Sequence, residues 1–146
     1  MHVANLAKIG TIAMVLASMA IAYALTYPSV RLGSVGNIKA LGVGVYWDSG
    51  CSQPISSVDW GTVEPGAVKN VTIYIRNEGN APITLSLQTS NWNPSNAANY
   101  ISLSWNYKGQ AIDANQVIAV TLTLSISSNI QGITSFSFDI IISAVG

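Results

Sequence analysis

The chain has 146 residues, of which only 8% are charged, and six basic residues balance six acidic ones for a formal net charge of zero at pH 7. That length suits one domain with a single core after any leader, and so sparse and balanced a charge excludes the basic stripe that a phosphate backbone demands. Nucleic acid is therefore not an expected partner. Ser, Thr, Asn, Val and Ile dominate the chain beyond the N-terminus, the composition of a β-protein with a neutral polar surface. Such a surface carries little self-repulsion and tolerates close contact between copies of the same protein.

Residues 1–24 read as a targeting segment. Lys8 supplies a basic start, Ile9 to Leu25 is apolar without a charge, and Ala22-Tyr23-Ala24 is a small-x-small tripeptide. This predicts a signal peptide cleaved after Ala24. The competing reading keeps the segment as an N-terminal hydrophobic helix, either a membrane anchor or a type IV pilin-like core, because its apolar run of about 17 residues lies at the lower edge of what spans a bilayer. Lys8-Ile9-Gly10 approximates a prepilin cleavage site only loosely. Membrane contact is expected only through this leader during export.

Residues 25–36 form a short extended segment starting around Pro28 and interrupted by Gly33, and residues 37–146 are expected to form the domain proper. Lys39, Leu41, Val43, Val45 and Trp47 share one parity against Ala40, Gly42, Gly44 and Tyr46, which predicts a strand whose glycines invite a bulge or close packing. Val58 to Gln88 holds the plainest pattern. Val71, Ile73 and Ile75 alternate with polar residues, as do Ile83, Leu85 and Leu87, and Asn77-Glu78-Gly79-Asn80 between them predicts a β-hairpin, with a second tight turn at Glu64-Pro65-Gly66.

Ser90 to Asn99 reads as a loop or a single helical turn. Ile101, Leu103, Trp105 and Tyr107 mark another half-buried strand. Ile118, Val120, Leu122, Leu124 and Ile126 form the longest clean alternation, and Phe136, Phe138, Ile140 and Ile142 the inward face of a closing strand. About seven strands and no helical periodicity after the leader predict an all-β, immunoglobulin-like β-sandwich. Trp60 is expected as a core plug and Trp47 and Trp105 as core residues rather than a sugar-binding surface, whereas Trp92 suits either role.

The inventory of chemistry is short. The only histidine is His2, inside the leader, so no zinc site and no nucleophile–histidine–carboxylate set can be assembled beyond it. Asp48, Asp59, Glu64, Glu78, Asp113 and Asp139 sit in separate turns and strand ends, with no close-spaced acidic run for calcium. Phosphate-binding glycine patterns are absent. No enzyme activity and no cofactor is expected. Cys51 is the single cysteine, which rules out an intrachain disulfide and leaves a small half-buried residue, an intermolecular bridge or a reactive thiol. Asn70-Val71-Thr72 is a glycosylation sequon with Asn70 on the polar side of its strand, whereas Asn93-Pro94-Ser95 carries the forbidden proline.

The order of features resembles the TasA/camelysin-like family: an apolar leader, VGVYWD at Val43 to Asp48, DWGTVEPG at Asp59 to Gly66, VTIYIRNEGNAPITLSL, a long Thr/Val/Leu strand and SFSFDIIIS at Ser135 to Ser143. More particularly it resembles the exported subunits of archaeal bundling pili and threads. The resemblance implies a secreted homopolymer, a pilus or thread of the kind that serves cell adhesion and biofilm. It would assemble by donor-strand complementation, with neighbouring filaments as further partners in bundles. An extended segment of one copy would satisfy unpaired N–H and C=O groups in the next while its alternate apolar side chains fill gaps. The candidate donor is Leu25 to Val35, with Tyr27 as an anchor and Val30 and Leu32 as inserted side chains. The alternative makes this segment the first strand of its own domain. Some members of the wider family are labelled metallopeptidases, an activity that a chain without histidine after residue 2 does not inherit. A monomeric cell-surface binding module, for example for carbohydrate, is the third reading of the chain.

Overall fold

Period-two alternation builds every element of the described residues but one. In the computed structural model, which describes residues 31–146, eight strands follow in the order β1 (Leu32–Leu41), β2 (Val43–Tyr46), β3 (Ser57–Val63), β4 (Val68–Asn77), β5 (Thr84–Asn93), β6 (Ile101–Trp105), β7 (Val117–Ile126) and β8 (Ser135–Val145). A single 3₁₀ turn, Ser95–Asn99, separates β5 from β6. The leader, its Ala24 cleavage point, Tyr27 and Val30 lie outside the described residues.

The strands form two four-stranded sheets, β3-β1-β8-β5 and β2-β4-β7-β6, which face one another as an immunoglobulin-like sandwich. The inward residues are those the alternation marks. Val120, Leu122, Leu124 and Ile126 of β7 are buried, and Phe136, Phe138, Ile140 and Ile142 of β8 are buried on the opposite sheet. All strand pairs are antiparallel except β1 and β8, which run parallel from Gly33 beside Ser135 to Leu41 beside Ser143.

Three expectations need correction. First, β4 and β5 are not a hairpin. β4 pairs with β2 and β7 in one sheet, while β5 pairs with β8 in the other. The connection from Asn77 to Ile83 is an arch across the sandwich, and the Glu64–Gly66 turn is likewise a crossing between sheets, from β3 to β4. Alternation fits both arrangements, because two apolar faces bury one another equally well side by side or face to face. Asn77 decides for the arch. It turns inward at full burial, donates Nδ2 to the carbonyls of Ala81 (2.8 Å) and Ile112 (2.9 Å), and accepts from the Gly79 N–H at 2.9 Å.

Second, Lys39 to Trp47 is two strands in different sheets. Gly42 sits at φ +79°, where a Cβ would stand 2.9 Å from that of Ala144, and it redirects the chain from β1 into β2. Lys39 and Leu41 face solvent while Val43 and Val45 enter the core. Trp47, beyond the end of β2, is 39% exposed rather than a core residue. Third, the boundary between residues 36 and 37 falls inside β1, which runs unbroken through it.

The other tryptophans pack inward. Trp60 is buried, with its indole Nε1 lacking a partner and lying 3.2 Å from where a Cβ on Gly36 would be, so Gly36 leaves the space it fills. Trp105 is half-buried against the core and meets Tyr107 edge-on at 5.3 Å. Trp92 stacks on Phe138 with ring centroids 4.2 Å apart, which assigns it to the core side.

Candidate assembly surface

A sandwich offers function at its strand edges, its outer faces and its ends. Sheet order makes β3 and β5 the edges of one sheet and β2 and β6 those of the other. β1 is the first described strand and is not an edge. It sits between β3 and β8 and pairs with both, and β3 has no other strand partner among the described residues. Removing β1 would leave a slot one strand wide, flanked by strands about 9–10 Å apart.

Leu32, expected to insert in a neighbour, begins β1 fully buried beside Val63 of its own sheet. Leu32 to Val35, the described part of that segment, thus pair within their own domain. Tyr27 and Val30 lie outside the described residues, so the structure does not bring the three together.

Beside the N-terminal end of β1 lies a cleft of about 580 Å³, bordered by Val35, Asp59, Thr62, Asn93, Pro94 and Ser137 among others. Both edge strands depart from regular pairing here, β3 opposite Ser34/Val35 and β5 between Ser90 and Asn93. Such bulges bend the edges and re-aim side chains. Ser34, although buried, is satisfied by donating Oγ to the Gly61 carbonyl at 2.9 Å.

On the outer face of the other sheet, Tyr46 donates its hydroxyl to Glu78 at 2.8 Å, and Arg76 reaches both Glu78 (3.1 Å) and the Tyr46 hydroxyl (3.1 Å) while its guanidinium lies 5.3 Å from the Tyr46 ring centroid. The Tyr46 hydrogen bond and the Arg76 guanidinium hold the Glu78 carboxyl below its ordinary pKa, and the same carboxylate raises that of the Tyr46 phenol. A depressed folded-state pKa means stability present above the ordinary glutamate pKa and lost as pH falls through the folded value. Tyr46→Phe is expected to return the Glu78 titration toward its ordinary range by NMR and to shrink that acid-side loss. The change in stability stays below about 1 kcal/mol because the pair is solvent-screened.

No sequence-predicted carboxylate joins a catalytic cluster. Asp48 caps its own loop, accepting from the Ser52 hydroxyl and from the Ser52 and Gln53 amides, and the Ser52 hydroxyl is the first cause of its lowered pKa. Asp139 accepts from Asn91 Nδ2 at 2.6 Å. Among the described residues no three His, Cys, Asp or Glu side chains lie close enough to hold a metal ion. Cys51 is half-buried at φ +57° in the turn after Asp48. Asn70 is exposed on β4 and accepts from the Thr123 hydroxyl at 2.8 Å.

Sequence reasoning placed Asn70 and the strand faces but missed the slot held by β1, the cleft beside it and the Tyr46–Arg76–Glu78 group. No family model matches this chain, and no curated protein matches it. Among solved structures, the ASH / PapD-like domain of human CEP192 (PapD-like domain 7) is similar to it at a TM-score of 0.35 and 8% identity, over 83% of this chain and 89% of that one. An overlap of that size carries no argument about function, which rests on the geometry of the chain itself.

Proposed function

We propose that this protein is an exported, non-enzymatic structural subunit of an extracellular filament. Subunits polymerise head to tail when the N-terminal strand of one copy occupies the β1 slot of the next. The observation that supports the reading is the position of β1: an N-terminal strand, parallel to β8, fills the middle of a sheet whose outer strand β3 depends on it. Exchange between copies keeps every hydrogen bond of the slot and adds a link between subunits, and a head-to-tail link that does not close on itself propagates as a fibre. The neutral surface leaves lateral contact between such fibres unopposed.

Because Leu32 is buried in either arrangement, Leu32→Asp would damage the fold as well as the assembly, so it cannot test the exchange. A disulfide across the slot can. Lys39 and Ile141 are register partners on the outer side of β1 and β8. With Cys51 replaced by Ser, Lys39→Cys with Ile141→Cys is expected to give a ladder of covalent oligomers from oxidised filaments on a non-reducing gel. Fibres that yield only intrachain bridges would reject strand exchange.

The cleft beside β1 supports a second reading, a monomeric surface module binding a neutral polar ligand such as an oligosaccharide. Its mark is saturable oligosaccharide binding by a protein that never forms fibres in electron micrographs.

A further inference from the structure

β4 is longer than its neighbour. Nine of its ten residues, Val68 to Arg76, pair with β7 along one side, but on the other β2 covers only Tyr74 to Asn77. Val68 to Ile73 therefore have no strand partner on that side among the described residues. The Asn77 N–H and C=O meet Gln116 and Asn115, and the Ala67 C=O meets Ile126, so the odd-numbered residues serve the β7 side. By antiparallel alternation Val68, Asn70 and Thr72 turn their main-chain groups to the open side. The edge also exposes an apolar residue, Val68 at 61%, and Lys69 is its one charge. With zero net charge on the chain, little else discourages another strand from pairing there.

The sequon lies in this open stretch. Asn70 Oδ1 accepts from Thr123 Oγ1 at 2.8 Å, which fixes the amide with its Nδ2 directed away from that bond and without a partner among the described residues. Thr72, the sequon hydroxyl, is exposed two residues on, along the same face. From this geometry we infer that Asn70 carries an N-linked glycan that guards the open edge of β4 against pairing with another strand. The acceptor nitrogen loses a proton and bonds to the anomeric carbon of a lipid-pyrophosphate-linked oligosaccharide. The sugar–oxygen bond breaks and the lipid pyrophosphate leaves with its electron pair. A bulky, hydrated sugar at this position blocks the approach of a strand that the bare edge would accept. The inference rests on the export reading for its setting but not for its chemistry.

The full chain in detergent is incubated with purified oligosaccharyltransferase and a lipid-pyrophosphate-linked oligosaccharide, then digested with trypsin, which cuts after Lys69 and Arg76 to release Asn70–Arg76 as one peptide. The peptide is expected to gain the mass of one oligosaccharide in the parent chain and in Thr72→Ser, and none in Thr72→Ala. An unmodified parent peptide overturns the site. Sedimentation in density-matched detergent then reads the guarding role. Asn70→Gln is expected to self-associate on the order of tenfold more tightly than the glycosylated chain. Asn70→Pro, which lacks both the glycan and the N–H on the open side, should associate no more tightly than the glycosylated chain. Equal association of Asn70→Gln and the glycosylated chain overturns the guard. Neither result depends on strand exchange, which the Lys39–Ile141 bridge reports separately.

Discussion

Phe138→Ala is expected to lower the unfolding free energy by about 3–5 kcal/mol, as truncation of a buried phenylalanine does when its surroundings cannot collapse. Phe138 is 1% exposed in the first half of β8, the strand paired with both β1 and β5. Its ring stacks on Trp92 at 4.2 Å and lies 6.2 Å from Phe136. The cavity would be walled by pleated backbone on one side and by β-branched or aromatic side chains on the other, none of which relaxes readily. Against a typical domain stability of about 5–15 kcal/mol, the loss is a large share of the total. Denaturant unfolding would measure it, and Trp92 fluorescence should change with it because the stacked partner is gone. A loss below about 1 kcal/mol would mean that the two sheets do not meet at this residue.

The second large effect belongs to Asn77. Asn77→Ala is expected to cost about 2–3 kcal/mol, because it strands groups that the arch between β4 and β5 cannot satisfy otherwise, at about 1–3 kcal/mol for a fully buried one. The Ile112 carbonyl keeps a bond from the Ile83 N–H, while the Gly79 N–H and the Ala81 carbonyl lose their one described partner. Asn77→Asp should be worse at neutral pH, since a buried carboxylate would face the carbonyls of Ala81 and Ile112. Its folded pKa would then stand above the unfolded value, so the variant recovers stability as pH falls and loses it as pH rises through the folded pKa. Urea midpoints across a pH series would check both the size and the sign. If Ala and Asp behave alike at every pH, the side chain does not hold the arch.

Both effects bear on assembly. The arch sends β5 to the sheet that contains β1, and Phe138 faces Gly36 of β1 across their parallel register. A subunit that exchanges β1 needs the rest of the sandwich to persist while the slot is open. The packing of β8 on Trp92 and the arch at Asn77 are the contacts that would keep it standing. Variants at either position are therefore expected to reduce fibre yield together with stability, unlike the cysteine bridge, which reports connectivity alone.

Much of the sandwich is legible along the chain. The inward residues of β7 and β8 follow from alternation alone, because a pleated strand half-buried in a sandwich must place every second residue against the core. The lack of histidine beyond residue 2 removes the commonest acid–base and zinc chemistry before any fold is known. The sequon and its polar parity are equally local. Alternation, however, has no memory of which sheet a strand joins. Val58 to Gln88 satisfies a hairpin and an arch with the same residues, and only the buried Asn77, a polar residue at an inward position, distinguishes them. Trp47 keeps the parity of the core but stands past the end of β2, where it is exposed.

What the chain alone determined is the class: an all-β domain with a neutral surface, its apolar faces and the position of Asn70, because each depends on residue type and a period of two. Tertiary structure decided that β1 lies parallel to β8 in the middle of a sheet, that Tyr46, Arg76 and Glu78 converge, and that β4 outruns β2 to leave Asn70 on an open edge. These features pair residues tens of positions apart, and no local pattern encodes a partner that far along the chain.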